Sequence, residues 1–406
     1  MKKSLSLALA GTVLTAALAG CGAPKGESTP APTATPEITT PAPALEGLPG
    51  DVAQEVLGVP GSTAVMTVDG AEVSAQELLY WLSYSADQYN QYGLLDWTME
   101  MDGAGMGDYL LNNAVETAKL HAVVQNHAQD QGIALTAEDQ VDFDSQIASL
   151  KSSMAAQLGG EGDQAYQYWL KYIGLDDDHF RQVNQISYLV QHLRDRMFGE
   201  SGANPPPTDG YAAWAEDNGV YRAKHILIGA EDKTDEAMAA ALDTANAIRQ
   251  DLKDNGDTEA YFDTVMAEKS QDPGSQSNPD GYVFGAGEMV DAFYQGAAAL
   301  SVGQISDPVQ SSYGYHIILR LGVDPSSQEA KDKYADVEME KAVDQWVADA
   351  KTETTAAYDQ FDPENDYGKL TEVRAQVMAA MQAAFAPQET TPAETEPPAP
   401  TATPAG

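Results

Sequence analysis

Two histidines lie in short apolar, β-branched runs near the two ends of the stretch from Tyr221 to Leu321. His225 belongs to the run Ala223-Lys224-His225-Ile226-Leu227, and His316 belongs to the run Tyr315-His316-Ile317-Ile318. Runs of this kind are typical of buried strands. We expect the two strands to pair, so that the imidazoles meet inside one small domain.

Further polar and apolar side chains lie between the histidines. The sequence predicts a helical segment, a polar loop that carries Asp272, and a second short helix, with Ser311 just before the second run. Met289 and Phe293 are spaced i to i+4, which predicts one shared face of the short helix. Two imidazoles, a carboxylate and a hydroxyl can form a hydrogen-bond network. The Met–Phe pair can form an apolar wall beside it.

Simpler interpretations of these residues stay open at this point. A histidine on a single strand is more often a hydrogen-bonded core residue than a functional one. Two histidines and an aspartate can also ligate a metal ion, but nothing else in the sequence supports such a site, so we expect no metal and no cofactor. The chain has no Walker-type phosphate loop and no nucleophile elbow. We assign no role to the other four histidines, which are His121, His127, His179 and His192.

Composition and charge exclude several classes of function. The 406 residues include 22 Lys and Arg against 62 Asp and Glu, so the formal net charge is −40. Nucleic-acid binding requires basic surface, and so does adsorption to anionic lipid head groups, which argues against both. The single cysteine excludes an intramolecular disulfide. The length is sufficient for two or three domains.

The central stretch resembles the parvulin peptidyl-prolyl isomerases. The resemblance rests on landmarks in the family's order and close to its spacing, namely Ala223 to Leu227, Ser270-Gln271-Asp272-Pro273-Gly274-Ser275, Gly287 to Phe293, Gly303 to Val309, and Tyr313 to Ile318. It implies that His225 and His316 are the central histidine pair, and that Asp272 stands where some members carry Cys. It also implies a proline pocket at Met289 and Phe293, with Ser311 at the family's Thr/Ser position. We assign Phe284 and Tyr313 to substrate binding as well.

The chemistry of such an enzyme fits these residues. Rotation about an X–Pro bond crosses a barrier of roughly 18–20 kcal/mol without breaking a bond to carbon. The catalyst needs an apolar pocket and polar groups that favour the twisted amide. A carboxylate is a poor nucleophile toward an amide, so we expect Asp272 to act non-covalently. One departure from the family pattern is Asp280-Gly281-Tyr282-Val283-Phe284, in which Gly281 aligns with a Leu that lines the pocket.

The first residues are typical of an exported, lipid-anchored protein. Met1-Lys2-Lys3 precedes an apolar run from Ser4 to Ala19, which is the pattern of a signal peptide. The run ends in Leu18-Ala19-Gly20-Cys21, which resembles the bacterial lipoprotein signal. The resemblance implies cleavage before Cys21 and lipidation of its thiol. An ordinary secretory signal with a chance cysteine is the alternative.

Helical patterns flank the central unit. Ala64 to Val73 predicts two short strands joined at Asp69-Gly70, and Ser74 and Glu77 form a capping box for the helix that follows. The predicted helices cover 75–91, 109–131, 137–158, 163–172, 179–193, 209–216, 328–358 and 370–385. The C-terminal helices have few large apolar residues, so we expect them to pack on the N-terminal helices.

The expected fold class is α+β, with a parvulin domain inserted between the N- and C-terminal segments of a mainly helical, chaperone-like domain. The predicted divisions are a signal peptide at 1–20, a disordered Pro/Thr-rich linker at 21–62, a helical domain at 63–207, a parvulin domain at 219–322, C-terminal helices at 326–386 and a disordered Pro/Thr tail at 387–406.

With its lipoprotein signal and helical flanks, the whole chain is similar to PrsA-like extracytoplasmic foldases. The resemblance implies a membrane-anchored prolyl isomerase whose partners are exported proteins that are still folding. A binding chaperone with a weak or inactive isomerase domain is the main alternative, and the Gly281 departure favours it. A solute-binding lipoprotein would suit the tether but not the central motifs.

Overall fold

A computed structural model describes residues 45–386 except Gly159, Glu231 and Gln276. The predicted signal peptide, Cys21 and the predicted tail at 387–406 therefore lie outside the described residues. The predicted disordered linker at 21–62 is wrong in its last part. A helix begins at Val52 because the Asp51 side chain accepts from the Gln54 backbone N–H, and it ends at Leu57 with both of these terminal residues buried.

The helices and strands of the described residues are numbered in chain order. The helices are α1 Val52–Leu57, α2 Ala75–Gln91, α3 Met106–Asp130, α4 Ala137–Leu158, α5 Gly162–Ile173, α6 Asp177–Asn184, α7 Ile186–Phe198, α8 Tyr211–Asp217, α9 Asp235–Asp254, α10 Glu259–Lys269, α11 Asp291–Ala298, α12 Gln328–Asp349 and α13 Pro363–Ala384. The strands are β1 Ala64–Val68, β2 Ala71–Ser74, β3 Glu100–Met101, β4 Ala104–Gly105, β5 Tyr221–Gly229, β6 Tyr282–Phe284, β7 Val309–Ser311, β8 Gly314–Leu321 and β9 Thr352–Thr354. Residues 358–360 form one 3₁₀ turn. The described chain divides into two compact units.

The first unit comprises residues 124–134 and 187–349 and contains an antiparallel sheet in the order β6-β5-β8-β7. The central pair of strands, β5 and β8, is aligned along its whole length from Arg222 opposite Leu321 to Gly229 opposite Gly314. Alternate residues of these strands, including Ile226 and Ile317, face α9 and α10 and form the largest core of the unit. The other face of the sheet packs against α11, and it is this face that carries both histidines.

A second core of the first unit joins α8 to α12. The Tyr211 hydroxyl donates to the Ala330 carbonyl oxygen at 2.7 Å, and the rings of Trp214 and Tyr334 lie 4.8 Å apart. Val283 of β6 packs into the same cluster. The first helix of the predicted segment 326–386, α12, lies in the unit that contains the central sheet. It also packs on residues of the predicted N-terminal domain, because Arg194 pairs with Asp332 and Asp336 and the His127 ring stacks on Trp346.

The second unit comprises residues 45–123, 135–186 and 350–386. Its small sheet has the order β2-β1-β9, so the C-terminal strand β9 pairs with β1. Helix α13 packs against α5, α1 and α2. The Arg374 guanidinium of α13 donates to the Asp87 carboxylate of α2 at 2.8 Å. The N- and C-terminal parts of the chain thus meet inside this unit through β9 and α13.

Two predicted helices differ from the structure in continuity. The helix predicted at 179–193 is broken at Gln185 into α6 and α7, and the helix predicted at 328–358 ends at Asp349 and is followed by strand β9. The remaining predicted helices agree with the structure to within a few residues, apart from the start of α13, and Ser74 accepts from the Glu77 N–H as a cap. The expected α+β fold class is confirmed. Within the described part of the chain, no helix has both the length and the apolar character that crossing a membrane requires.

Candidate active site

The two central strands bring the histidines together. His225 lies opposite Ile318 and His316 lies opposite Leu227, so the two histidines are diagonal neighbours on one face of the sheet. Their ring centroids are 5.0 Å apart and the ring planes meet at 74°. The predicted pairing of the strands, with the imidazoles in contact, is confirmed.

Asp272 joins the pair from the loop that precedes β6. Its Oδ2 atom lies 3.3 Å from Nε2 of His225, and the side chains of Asp272 and His225 are 17% and 11% exposed. The contact is at ion-pair distance, although its alignment falls short of a hydrogen bond. The approach of the His225 imidazole, helped by the Tyr282 hydroxyl and the Gly274 N–H and opposed by partial burial, lowers the pKa of Asp272 to about 2. The carboxyl group is therefore ionised at neutral pH.

Ser311 is paired with the second histidine. Its Oγ atom lies 2.7 Å from Nε2 of His316, and the tautomer of the imidazole decides which atom donates. Burial, with a further contribution from the neighbouring His225 and opposition from Asp272, lowers the pKa of His316 to about 4. His316 is therefore neutral at pH 7. The four predicted polar residues are neighbours, with Asp272 at one end and Ser311 at the other, and the two imidazoles between them meet through their rings without a hydrogen bond.

Aromatic rings surround this polar group. The Phe293 ring centroid lies 4.9 Å from that of His225 and 5.6 Å from that of His316. The Phe284 ring lies 5.4 Å from Phe293. Both phenylalanines are at most 2% exposed, so they belong to the buried core on the histidine face of the sheet. Met289, which is only half-buried, packs against the same cluster and keeps part of its apolar surface exposed.

Two details of the predicted apolar wall differ from the structure. Met289 does not share a helix face with Phe293, because α11 begins at Asp291 and is preceded by Val290 in an extended conformation. Met289 reaches the cluster from the loop instead. Tyr313, predicted to bind substrate, lies in the turn between β7 and β8 with 59% of its surface exposed, outside the ring cluster.

The Gly281 departure has a local structural explanation. Gly281 has a φ of +87°, and a Cβ atom there would lie 2.6 Å from the Ala223 carbonyl oxygen. The position therefore faces the backbone of β5 and could not carry a pocket side chain without a shift of the main chain. Position 281 therefore serves the turn into β6, and the departure leaves His225, His316, Asp272 and Ser311 in place.

Two residues that contact the site or lie beside it have no role assigned from the sequence. The Tyr282 hydroxyl donates to Oδ2 of Asp272 at 2.9 Å. Arg320, which is 2% exposed, lies on the same sheet face as His316 and donates to the Ala297 carbonyl oxygen at the end of α11. The alternation along β8 gives a signal for Arg320, because residues 316, 318 and 320 must share a face. No sequence pattern indicated Tyr282.

Helix α12 contacts the edge strand β6 and the loop that follows it. The carboxylate of Glu329 accepts from the Val283 N–H on the free edge of β6 at 3.0 Å. Lys333 forms an ion pair with Glu288, whose other oxygen accepts from the Gly285 N–H. These contacts fix the loop that leads to Met289. The site therefore depends on a helix outside the predicted parvulin boundaries.

The arrangement suits a particular kind of chemistry. An ionised carboxylate and a neutral imidazole lie beside the aromatic cluster, where partial burial weakens the solvent screening of their interactions. The half-buried Met289 adds apolar surface to the same cluster.

Comparison with known proteins agrees with this geometry. The model of the rotamase family, described as the PPIC-type PPIase domain, matches residues 225–322. Foldase protein PrsA of Geobacillus kaustophilus is 37% identical over 144 residues, which are 32% of this chain and 46% of that protein. Foldase protein PrsA of Halalkalibacterium halodurans is 26% identical over 249 residues, which are 59% of this chain and 69% of that protein. The alignment with the Geobacillus protein thus spans about half of its length.

Among solved structures, peptidylprolyl isomerase (PrsA) from Bacillus anthracis is 21% identical, with 64% of this chain and 96% of that chain covered and a TM-score of 0.24. The family match and the site together define a parvulin-type peptidyl-prolyl isomerase domain at residues 225–322. Beyond this domain the chain is similar to these PrsA foldases, since the match to the Halalkalibacterium protein extends over 249 residues.

Proposed function

We propose that this protein is a peptidyl-prolyl cis-trans isomerase that assists the folding of exported proteins. The observation that carries the proposal is the convergence of His225, His316, Asp272 and Ser311 beside the buried Phe293 ring. Unassisted X–Pro isomerisation takes tens to hundreds of seconds, which is slow enough to limit folding. A pocket that stabilises the twisted amide would remove that limit.

In this proposal the apolar and polar parts of the pocket have separate tasks. The proline ring packs against Met289 above the base formed by Phe293 and Phe284. His225, His316 and Ser311 hold the network that faces the amide, and Asp272 is its charged member. Tyr313, exposed beside Ser311, contacts the peptide chain that flanks the proline. Binding energy is then used where the amide loses its planarity, which is how an enzyme lowers a rotational barrier.

The proposed reaction is non-covalent. A carboxylate with a pKa of about 2 is a weak nucleophile, and an amide carbonyl is a poor electrophile. Rotation requires no bond to carbon to form or break. A fixed negative charge close to the twisting amide acts by electrostatic preorganisation instead.

The proposed clients are unfolded or folding exported proteins with X–Pro segments, met outside the cytoplasmic membrane. Support comes from the sequence resemblance of the N-terminus to a lipoprotein signal and from relatives named as foldases. A further relative, over 24% of this chain, is Chaperone SurA of Chromohalobacter salexigens at 41% identity. The proposed anchor is a lipidated Cys21, which lies outside the described residues.

The decisive experiment measures the cis-to-trans rate of short X–Pro peptides with the purified, unlipidated protein and its Asp272→Asn variant. Hydrogen bonds to charged groups contribute roughly 1.5–3 kcal/mol. We therefore expect Asp272→Asn to lower kcat/KM by about 10- to 100-fold. Because the folded state lowers the pKa of Asp272, the carboxylate also stabilises the fold at neutral pH, so the variant should melt at a lower temperature while remaining folded under assay conditions.

The matched control is Asp280→Asn, which removes the same charge from an exposed position of the same loop. This variant should keep the wild-type rate. A folded Asp272→Asn variant that isomerises at the wild-type rate would exclude Asp272 from the mechanism. If the unmutated protein accelerates no X–Pro peptide, for several residues before proline, the isomerase proposal is wrong and a binding chaperone takes its place.

A further inference from the structure

Tyr282 provides the direct side-chain hydrogen bond to the charged member of the site. Its hydroxyl donates to Oδ2 of Asp272 at 2.9 Å, and the same oxygen lies 3.3 Å from Nε2 of His225. The other carboxylate oxygen accepts from the Gly274 N–H at 3.3 Å. The oxygen that faces the histidine is thus held from a second side by the tyrosine.

Asp272 needs such a partner because of where it lies. Residues 270–281 form a loop without helix or strand among its described residues. The loop backbone is anchored through the Gln271 N–H, which donates to Leu227 of β5 at 2.8 Å. That bond fixes the main chain but leaves the carboxyl group free to rotate about its side-chain bonds. A hydrogen bond from a strand residue to the carboxylate restricts this rotation.

Tyr282 is held rigidly enough to do so. It is the first residue of β6 and lies opposite Ala223 in the sheet. Gly281 precedes it at a φ of +87°, which turns the chain out of the loop and into the strand. The Tyr282 ring packs against the cluster around Phe293, and its centroid is 6.2 Å from that of His225.

The loop is shaped to admit the tyrosine hydroxyl. A Cβ atom on Gly274 would collide with this hydroxyl and would lie 3.5 Å from Oδ2 of Asp272. Gly274 does not have a positive φ, so its backbone conformation does not require glycine. The missing side chain therefore makes room for the contact between Tyr282 and Asp272. Partial burial, and then the bond to Asp272, raise the pKa of Tyr282 to about 12, so the hydroxyl keeps its proton at neutral pH.

We infer that Tyr282 is a positioning residue of this isomerase, whose hydroxyl fixes the Asp272 carboxylate against His225. The expected effect of the Tyr282 hydroxyl on the isomerisation rate rests on the proposed function. Its expected effect on the titration of Asp272 does not. This positioning role predicts that the Tyr282 hydroxyl increases the contribution of Asp272 to the rate and acts only through Asp272, and that the room left by Gly274 is needed for the same reason.

The main test is Tyr282→Phe in the full-length soluble protein, which keeps the ring and removes the hydroxyl. We expect kcat/KM for an X–Pro peptide to fall by about 3- to 10-fold, as for one lost hydrogen bond. The titration midpoint of the Asp272 carboxyl carbon, followed by NMR with ¹³C-labelled aspartate, should rise by about one pH unit. The Asp272 resonance is assigned by its absence in Asp272→Asn.

Two further variants test whether the effect comes from the hydrogen bond between Tyr282 and Asp272. Gly274→Ala should displace the hydroxyl and shift both the rate and the midpoint in the same directions. Tyr294→Phe is the matched control, because the Tyr294 hydroxyl donates to the Gly219 carbonyl oxygen at 3.2 Å and not to Asp272. It should leave the midpoint unchanged. In the Asp272→Asn background, Tyr282→Phe should cause no further loss of rate.

The outcomes separate this inference from the proposed function. If the unmutated protein is inactive, the proposed function fails, and the titration of Asp272 still decides whether Tyr282 holds it. An unchanged midpoint in folded Tyr282→Phe would overturn the inference, whatever happens to the rate. A rate loss of equal size in the Asp272→Asn background would also overturn it, since the tyrosine would then act by another route.

Discussion

At the scale of single residues, burial and close neighbours decide which side chains of the pocket carry charge. Asp272 stays ionised because His225, Tyr282 and the Gly274 N–H all stabilise the carboxylate. His316 stays neutral because it is 4% exposed and lies beside a second imidazole. A pocket with one fixed negative charge and a neutral imidazole can polarise an amide without itself changing protonation near pH 7.

The buried His316 predicts a specific dependence of stability on pH. Its pKa falls from 6.5 to about 4 on folding, so the unfolded chain binds a proton that the folded chain excludes. The stabilisation is complete above pH 6.5 and is lost as the pH falls toward 4. His316→Gln cannot titrate, so the advantage of the wild type over this variant in unfolding free energy should shrink by about 3 kcal/mol across that window.

Denaturant unfolding from pH 7 to pH 4 checks this prediction. His192→Gln, a substitution of the same kind in α7, serves as the comparison. Parallel pH profiles for the wild type and His316→Gln would show that burial of this imidazole does not control its protonation.

The residues of the site differ in how far the sequence could predict them. The positions of His225 and His316 could be predicted, because side chains alternate between the two faces of a strand. Once the two strands pair, only one register brings both histidines to the same face. Tyr282 was missed because its role depends on a left-handed turn at Gly281 and on space at Gly274, and both are properties of the folded loop. Met289 was assigned to a helix face because i to i+4 spacing cannot show that a helix begins two residues later.

At the scale of elements, the strands and helices with strong local signals were predictable and the long-range ones were not. The turn at Asp69-Gly70 and the Ser74 cap gave β1, β2 and α2. Strand β9 is short, polar and fully exposed, so only its pairing with β1 makes it a strand. The break at Gln185 likewise lies inside a continuous apolar pattern, which predicts one helix. Helix α1 was not predicted because the start of its segment is rich in Pro and Thr.

The dependence of the second unit on its C-terminal elements predicts the result of a truncation. Ending the chain after Asp349 removes β9 and α13. In the intact protein α13 contributes the buried side chains Leu370, Val373 and Val377. Each large aliphatic side chain contributes roughly 1.5–3 kcal/mol on burial. The loss of roughly 5–9 kcal/mol is comparable with the whole stability of a typical domain, about 5–15 kcal/mol. We therefore expect the second unit to unfold.

Circular dichroism and the peptide assay together test this truncation. The second unit should lose its cooperative melting, while the isomerisation rate stays within about twofold of the wild type because the first unit keeps α12. Truncation after Ala386 is the control and removes only the predicted tail. An unaltered melting curve after the shorter truncation would show that β9 and α13 are dispensable.

At the scale of the whole molecule, charge and the proposed anchor belong together. A formal net charge of −40 repels anionic membranes, so electrostatic adsorption cannot keep this protein at a bilayer. An acyl chain can, because each buried CH₂ contributes about 0.8 kcal/mol and two or more chains give stable anchoring. With such an anchor, the acidic surface would keep the protein soluble and away from the lipid head groups. The sequence predicted this arrangement from composition and from the motif ending in Cys21.

The proposed anchor predicts where a Cys21→Ser variant is found in the cell. Without the thiol no lipid can be attached, so the variant should leave the membrane fraction and appear in the extracytoplasmic soluble fraction, with its isomerase activity intact. The wild type should stay with the membranes after a high-salt wash, because screening charges does not weaken an acyl anchor.

Ser28→Ala, in the same predicted linker, is the matched control and should behave as the wild type. Mass spectrometry of the mature N-terminus would show the lipid directly. If Cys21→Ser remains membrane-bound after the salt wash, another part of the molecule attaches it and the anchor is not at this cysteine.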